Sequence, residues 1–197
     1  PTAQAIGAVN TIYLRENKLI GDNTDAAGFL SDLKRFLTTE TQRHGDQTAL
    51  VLGAGGSARA VTYALVNDGW QVIIVARRFE QAQQLITSFT NYQIRLLDNL
   101  SNTELSNISL IVNTTPLGMT PNIDQSPLPE NVSLSQYTKI YDLVYNPRET
   151  KLVRDARSQG LNATTGLGML IEQAALAFEL WTGCIPSRNI LYTSVVE

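Results

Sequence analysis

Apolar and polar positions divide the chain into three stretches. In the first, Ala8-Val9-Asn10-Thr11-Ile12-Tyr13-Leu14 reads as an extended run. Arg15-Glu16-Asn17-Lys18 reads as a turn and Leu19-Ile20 as the returning strand, which predicts a β-hairpin. Beyond Gly21-Asp22-Asn23-Thr24-Asp25, the residues Phe29, Leu33 and Phe36-Leu37 recur at i, i+4, i+7 and i+8, the stripe of an amphipathic helix. Thr24 or Asp25 is its expected N-cap. Residues 38–48 are polar and aperiodic and read as a surface loop at a domain junction.

The second stretch alternates short apolar runs with helical patterns. Strands are predicted at Ala49–Leu52, Gln71–Ala76, Ile94–Leu97, Leu110–Asn113 and Ile140–Val144, with helices at Ser57–Asn67 and Glu80–Phe89. Val-Ile-Ile-Val and Leu-Ile-Val are continuous rather than alternating, as expected for strands covered by helices on both faces. Strand–helix alternation of this kind builds a Rossmann-like, doubly wound, mostly parallel sheet of the α/β class. In the third stretch Leu170, Ala174, Ala177, Phe178 and Trp181 mark one apolar face of a helix from Leu167 to Trp181, which Gly183 and Pro186 end. Residues 187–197 read as a short closing helix.

Composition narrows the function classes. The 197 residues are 43% hydrophobic and 17% charged, enough to bury a sizeable core, and the net charge of -3 argues against a polyanion or nucleic-acid surface. The single Cys184 excludes an internal disulfide framework and any multi-cysteine metal cluster, and the one histidine, His44, rules out a multi-histidine metal site. Cys184 reads as a semi-buried thiol at a helix end, and His44 as a solvated residue of the polar loop. No apolar run reaches the roughly 20 residues of a membrane-spanning helix, and the opening residues do not resemble a signal peptide. A reducing compartment, the cytoplasm, is expected. The chain opens on Pro1, and a strand-like segment follows almost at once, which suggests a processed precursor or a fragment of something longer.

The strand at 49–52 runs directly into Gly53-Ala54-Gly55-Gly56-Ser57-Ala58-Arg59, a G-x-G-x-x-A pattern opening a helix. The first glycine allows a tight turn, Gly55 lets a phosphate approach the backbone, and Ala58 lets helix and strand pack closely. The helix N-terminus then presents N–H groups to an anion. At the end of the second strand, where NAD sites usually place an acid, the sequence reads Ala76-Arg77-Arg78. Two guanidinium groups suit a 2′-phosphate, so NADP is favoured over NAD. Asn10, Asp25 and Gln173 are polar residues in apolar or tightly turned surroundings. By spacing alone each is more simply a turn asparagine, a helix cap and a solvent-facing glutamine.

Further segments carry a resemblance. Gly7-Ala8-Val9-Asn10-Thr11, Gly21-Asp22-Asn23-Thr24-Asp25-Ala26-Ala27-Gly28, the glycine loop, Asn113-Thr114-Thr115-Pro116-Leu117-Gly118-Met119, Tyr141-Asp142-Leu143-Val144-Tyr145-Asn146-Pro147 and Gly166-Leu167-Gly168-Met169-Leu170-Ile171-Glu172-Gln173-Ala174 resemble, in order, the signatures of the shikimate dehydrogenase family. That resemblance implies reversible NADPH-dependent reduction of 3-dehydroshikimate to shikimate in aromatic amino-acid biosynthesis. It implies substrate contacts from Asn10, Asp25, Gln173 and Tyr145, with Asp25 the acidic member of a Lys–Asp catalytic pair. It assigns the pyrophosphate to Gly53, Ala54, Gly55, Gly56, Ser57 and Ala58, and the 2′-phosphate to Arg77 and Arg78. Thr114 and Met119 would lie on the nicotinamide side, and Gly166 and Met169 near its ring.

On this reading residues 1–48 are the remnant of an α/β substrate-binding domain with its linker helix, 49–165 the NADP-binding domain, and 166–197 helices packing back. The resemblance departs at the front. Lys18, Lys34, Lys139 and Lys151 are the only lysines, and none has the sequence context of the family's catalytic lysine. The family's adenosine-binding Asn-Arg-Thr…Arg reads Ala76-Arg77-Arg78…Gln81. The isolated chain is therefore expected to bind NADP(H) and to catalyse little. A quinate/shikimate dehydrogenase using NAD and a non-catalytic NADP-binding regulatory module are the alternatives. A homodimer is left open.

Overall fold

The computed structural model describes residues 2–37, 47–89, 94–97, 105–129 and 132–196. A short helix α1 (Thr2–Ile6) precedes an antiparallel ribbon of β1 (Thr11–Arg15) and β2 (Lys18–Asp22). The turn between them places Glu16 and Asn17 at φ 50° and 59°, the two positive-φ positions of a type I′ hairpin. Helix α2 (Asp25–Leu37) follows. Its first turn is capped by Asn23, whose Oδ1 accepts from the Ala26 N–H at 3.2 Å. The expected caps, Thr24 and Asp25, are instead engaged elsewhere. Residues 8–10 lie outside β1, so Asn10 precedes the strand rather than interrupting it.

Among the described residues the main sheet has six strands, β3 (Thr48–Leu52), β4 (Gln71–Val75), β5 (Ile94–Leu97), β6 (Leu110–Asn113), β7 (Lys139–Asp142) and β8 (Ala163–Thr165). They run in spatial order β5-β4-β3-β6-β7-β8, every pairing parallel. This is the doubly wound order whose switch point lies between the first strand and its neighbour on the other side, here β3 and β6. The remaining helices are α3 (Gly56–Asn67), α4 (Phe79–Thr87), α5 (Lys151–Ser158), α6 (Leu167–Thr182) and α7 (Arg188–Val196). The hydrophobic pattern did not foresee α1, α5 or β8. In α5 only Leu152, Val153 and Ala156 are buried, and β8 spans three residues.

Alternation along β3 divides the core. Ala49 and Val51 join Phe29, Leu33, Val61, Leu65 and Tyr141 on one face of the sheet. Leu50 and Leu52 join Ile111, Ile140, Leu152 and Val153 on the other. Helices α2 and α6 pack closely: a Cβ on Gly28 would lie 2.7 Å from the Gln173 backbone nitrogen. The Trp181 Nε1–H donates to the Ile12 carbonyl at 3.0 Å and ties the ribbon to the far end of α6.

Candidate functional site

Gly53 leaves β3 at φ 119°, and its N–H donates to the Val75 carbonyl at 2.8 Å. A Cβ there would sit 2.5 Å from Thr114 Oγ1. The position thus requires glycine both for its backbone angle and for contact with the loop after β6. The Thr114 hydroxyl donates to the Leu52 carbonyl at 2.7 Å, bracing the two loops at the switch point.

Gly55 differs in kind. Its φ of −81° suits any residue, yet no heavy atom lies within 4 Å of where its Cβ would be. The first bond of α3 runs from the Arg59 N–H to the Gly55 carbonyl at 3.0 Å. The N–H groups of Gly56, Ser57 and Ala58 therefore precede the helical ladder and have no acceptor within it. Open space beside these amides at the positive end of α3 makes a cradle that fits a phosphate or pyrophosphate. Ala54 and Ala58 are buried beneath it. Arg77 and Arg78 are exposed just past β4, one strand over. Phe79, Glu80, Gln81 and Gln84 line a shallow pocket with Arg78.

Across the switch point, Met119 is 45% exposed on the loop after β6. Gly166 begins α6 against the exit of β7, where a Cβ would collide with the Leu143 carbonyl. Met169, one turn on, is buried in the same core as Ala54 and Ala58.

Asn10, Asp25 and Gln173 converge. The Asn10 Nδ2 donates to Asp25 Oδ1 at 2.7 Å and Thr24 Oγ1 at 3.0 Å, with Gln173 Oε1 at 3.4 Å. The Thr24 N–H donates back to Asn10 Oδ1 at 2.9 Å, and Gln173 Nε2 donates to the Leu170 carbonyl at 3.1 Å. Each of the three comes from a different element: the residue before β1, the first residue of α2 and the middle of α6. Burial raises the Asp25 carboxyl above its ordinary value, with the Asn10 bond pulling the other way. The cluster presents carboxylate, carboxamide and hydroxyl groups together, suited to a compact polyhydroxylated ligand. Tyr145 stands 44% exposed on the loop after β7, without a hydrogen bond to this cluster among the described residues.

A second polar group was not singled out as functional by the sequence. Asn113 and Asp142, the last residues of β6 and β7, are fully buried and joined by an Asn113 Nδ2 bond to Asp142 Oδ1 at 2.8 Å. Thr150 donates to Asp142 Oδ2 at 2.6 Å, and the Val144 N–H to Asp142 Oδ1 at 3.0 Å. Asn113 Oδ1 accepts from the Thr115 N–H at 2.9 Å. These bonds hold the loops after β6 and β7, and burial pushes the Asp142 carboxyl up to about 6. The signal was a polar residue ending each of two apolar strands.

The four lysines lie away from Asp25. Lys34 pairs with Asp68 at 2.7 Å, Lys151 with Asp155 at 2.5 Å, and Lys18 and Lys139 begin β2 and β7. Cys184 is exposed, not semi-buried, because α6 ends at Thr182 and the cysteine falls in the exposed turn that follows. His44 and most of the polar loop fall outside the described residues. No group of metal-ligating side chains occurs among the described residues, and none of their helices is long and apolar enough to cross a membrane.

Comparison with known proteins agrees with this architecture. Residues 36–151 match the family model described as shikimate / quinate 5-dehydrogenase, and residues 166–194 that of the shikimate 5′-dehydrogenase C-terminal domain. A Bacillus cereus (strain AH820) protein named shikimate dehydrogenase (NADP(+)) is 39% identical over 200 residues, covering all of this chain and 71% of its own length. The crystal structure of shikimate 5-dehydrogenase from Thermus thermophilus with NADP(H) and shikimate is 39% identical at a TM-score of 0.82, over 97% of this chain and 68% of that one. Quinate dehydrogenase from Corynebacterium glutamicum in complex with NAD gives a TM-score of 0.87 at 29% identity, over 98% of this chain and 69% of that one. On sequence and fold alike, the chain belongs to the shikimate / quinate 5-dehydrogenase family of oxidoreductases.

Proposed function

We propose that this chain carries the nucleotide-binding half and part of the substrate site of an NADP-dependent shikimate dehydrogenase, which interconverts 3-dehydroshikimate and shikimate in aromatic amino-acid biosynthesis. The observation that carries this reading is the pairing of an open backbone cradle at Gly55–Ala58 with the Asn10–Asp25–Gln173 cluster. The amides of Gly56, Ser57 and Ala58 would hold the pyrophosphate, and Arg77 and Arg78 the 2′-phosphate. Gly166, Met169, Thr114 and Met119 would border the nicotinamide. Asn10, Asp25 and Gln173, with Tyr145 at the rim, would bind the hydroxyl groups of the ring. NADPH would supply the hydride for the carbonyl carbon. The same reading assigns the chain to the cytoplasm, where the lone Cys184 stays a thiol.

Reduction also needs a proton at the carbonyl oxygen. Asp25 accepts a hydrogen bond from Asn10, burial raises its carboxyl above the ordinary value, and none of the four lysines stands beside it to deliver that proton. A positioned acid–base group is worth roughly 10²–10⁴-fold. Turnover of this chain alone is therefore expected at least roughly 10²-fold below that of a longer relative, while shikimate still binds in the presence of NADP+. Calorimetry with shikimate, on the chain and on Asn10→Ala and Gln173→Ala variants, tests the substrate assignment. Loss of binding in the variants is the expected result. Relative-like turnover by the chain alone would overturn the proposed lack of an acid, and shikimate affinity indifferent to both substitutions would overturn the substrate assignment.

A further inference from the structure

Tyr141, in β7, is fully buried, and its hydroxyl donates to Asp32 Oδ2 at 2.5 Å. Its ring shares the buried core with Met169, in the first turn of α6.

Asp32 is 5% exposed on a face of α2 that otherwise carries Phe29 and Leu33, an unusual place for a carboxylate. Arg35 binds its second oxygen, and Gly168 leaves room for it, since a Cβ there would collide with the carboxylate. The carboxylate thus lies against the first turn of α6, where the helix dipole favours negative charge. Phe29 and Phe36 meet the Tyr141 ring edge-on at centroid distances of 5.1 and 6.2 Å, which fixes its orientation. By holding the Asp32 carboxylate against Gly168, Tyr141 ties the first turn of α6 to β7 and α2.

That backbone lies on the β7 side of the switch point, whereas the glycine loop and the Arg77–Arg78 pair lie on the β3 and β4 side. Strands two apart in a sheet are separated by roughly 10 Å. A dinucleotide held at the glycine loop would reach α6 only with its nicotinamide end. We propose that Tyr141 and Asp32 are positioning residues that set the first turn of α6 against the nicotinamide half of the coenzyme and leave the adenosine half untouched. The inference rests on the NADP reading above and adds two residues to which that reading gives no part.

The test compares NADP+ with adenosine 2′,5′-bisphosphate, which lacks the nicotinamide half, by calorimetry on the unmodified chain and on Tyr141→Phe and Asp32→Asn. The expected result is that the unmodified chain binds NADP+ more tightly than the bisphosphate. Each variant should then lose about three- to tenfold in NADP+ affinity, the scale of one hydrogen bond, with bisphosphate affinity held within about twofold. Retained bisphosphate binding shows that a variant is folded, and if Asp32→Asn does not fold, Tyr141→Phe carries the test. A parallel loss for both ligands, or no loss for either, would overturn the proposal in favour of a purely structural pair. Equal wild-type affinities for the two ligands would overturn it as well. Failure of the unmodified chain to bind even the bisphosphate would sink the nucleotide reading itself.

Discussion

Two glycines two positions apart have different reasons to be glycine, and that difference is testable. Gly53 combines a φ of 119° with contact to Thr114, so Gly53→Ala is expected to destabilise the fold by about 1–3 kcal/mol. Gly55 has an ordinary φ and empty space ahead of it, so Gly55→Ala should leave stability within about 0.5 kcal/mol. It should cost NADP+ affinity by filling the cradle. Denaturation midpoints and nucleotide titrations on both variants check this, and equal stability losses would refute it. Asp142 gives the residue-scale prediction for pH. Its carboxyl moves from an ordinary 3.8 to about 6 on folding, so as pH rises the unfolded chain ionises first. The stability it contributes is complete below pH 3.8 and is lost as pH rises through about 6. The loss is about 3 kcal/mol. Asp142→Asn has no charge to bury, and its urea midpoint should lack that fall; parallel curves for the two proteins would contradict the assignment. The glycine loop was legible because its spacing is local. Asn23 as the cap was not, because Thr24 and Asp25 are equally good capping types and only the fold shows both engaged by Asn10.

At the scale of elements, the candidate substrate cluster depends on how closely α2 and α6 approach. Gly28 faces the Gln173 backbone, which cannot swing aside as a side chain would. Gly28→Ala is therefore expected to push the helices apart, cost about 1–3 kcal/mol and weaken shikimate binding by separating Gln173 from Asp25 and Asn10. NADP+ binding at the glycine loop should persist. Unchanged shikimate affinity in a folded Gly28→Ala protein would show that the helix spacing does not govern the site. No reading of periodicity foresaw this convergence, since Asn10 meets Asp25 across 15 positions and Gln173 across 163. Resemblance grouped the three residues; their spacing did not. The strands of the main sheet were mostly legible as continuous apolar runs, whereas β8 is too short and α5 too polar to stand out in a pattern of hydrophobic positions.

For the molecule as a whole, a parallel sheet whose strand order reverses between β3 and β6 gathers the glycine loop, the Thr114 loop and the start of α6 at one end. The chain carries a net charge of -3, so the exposed Arg77–Arg78 pair supplies a local positive field on an acidic protein, and its contribution should weaken with added salt. The alternation of strand and helix made this topology legible, and the G-x-G-x-x-A loop marked the edge where the coenzyme is proposed to bind. The proposed preference for NADP+ rests on the arginine pair, so the most direct test is calorimetric titration of the chain with NADP+ and NAD+, repeated on a variant carrying Arg77→Gln and Arg78→Gln. Tighter binding of NADP+ by at least about tenfold, lost in the double variant, is the predicted result. Absence of binding to either coenzyme by the folded chain, or an NADP+ preference that survives removal of both arginines, would contradict it.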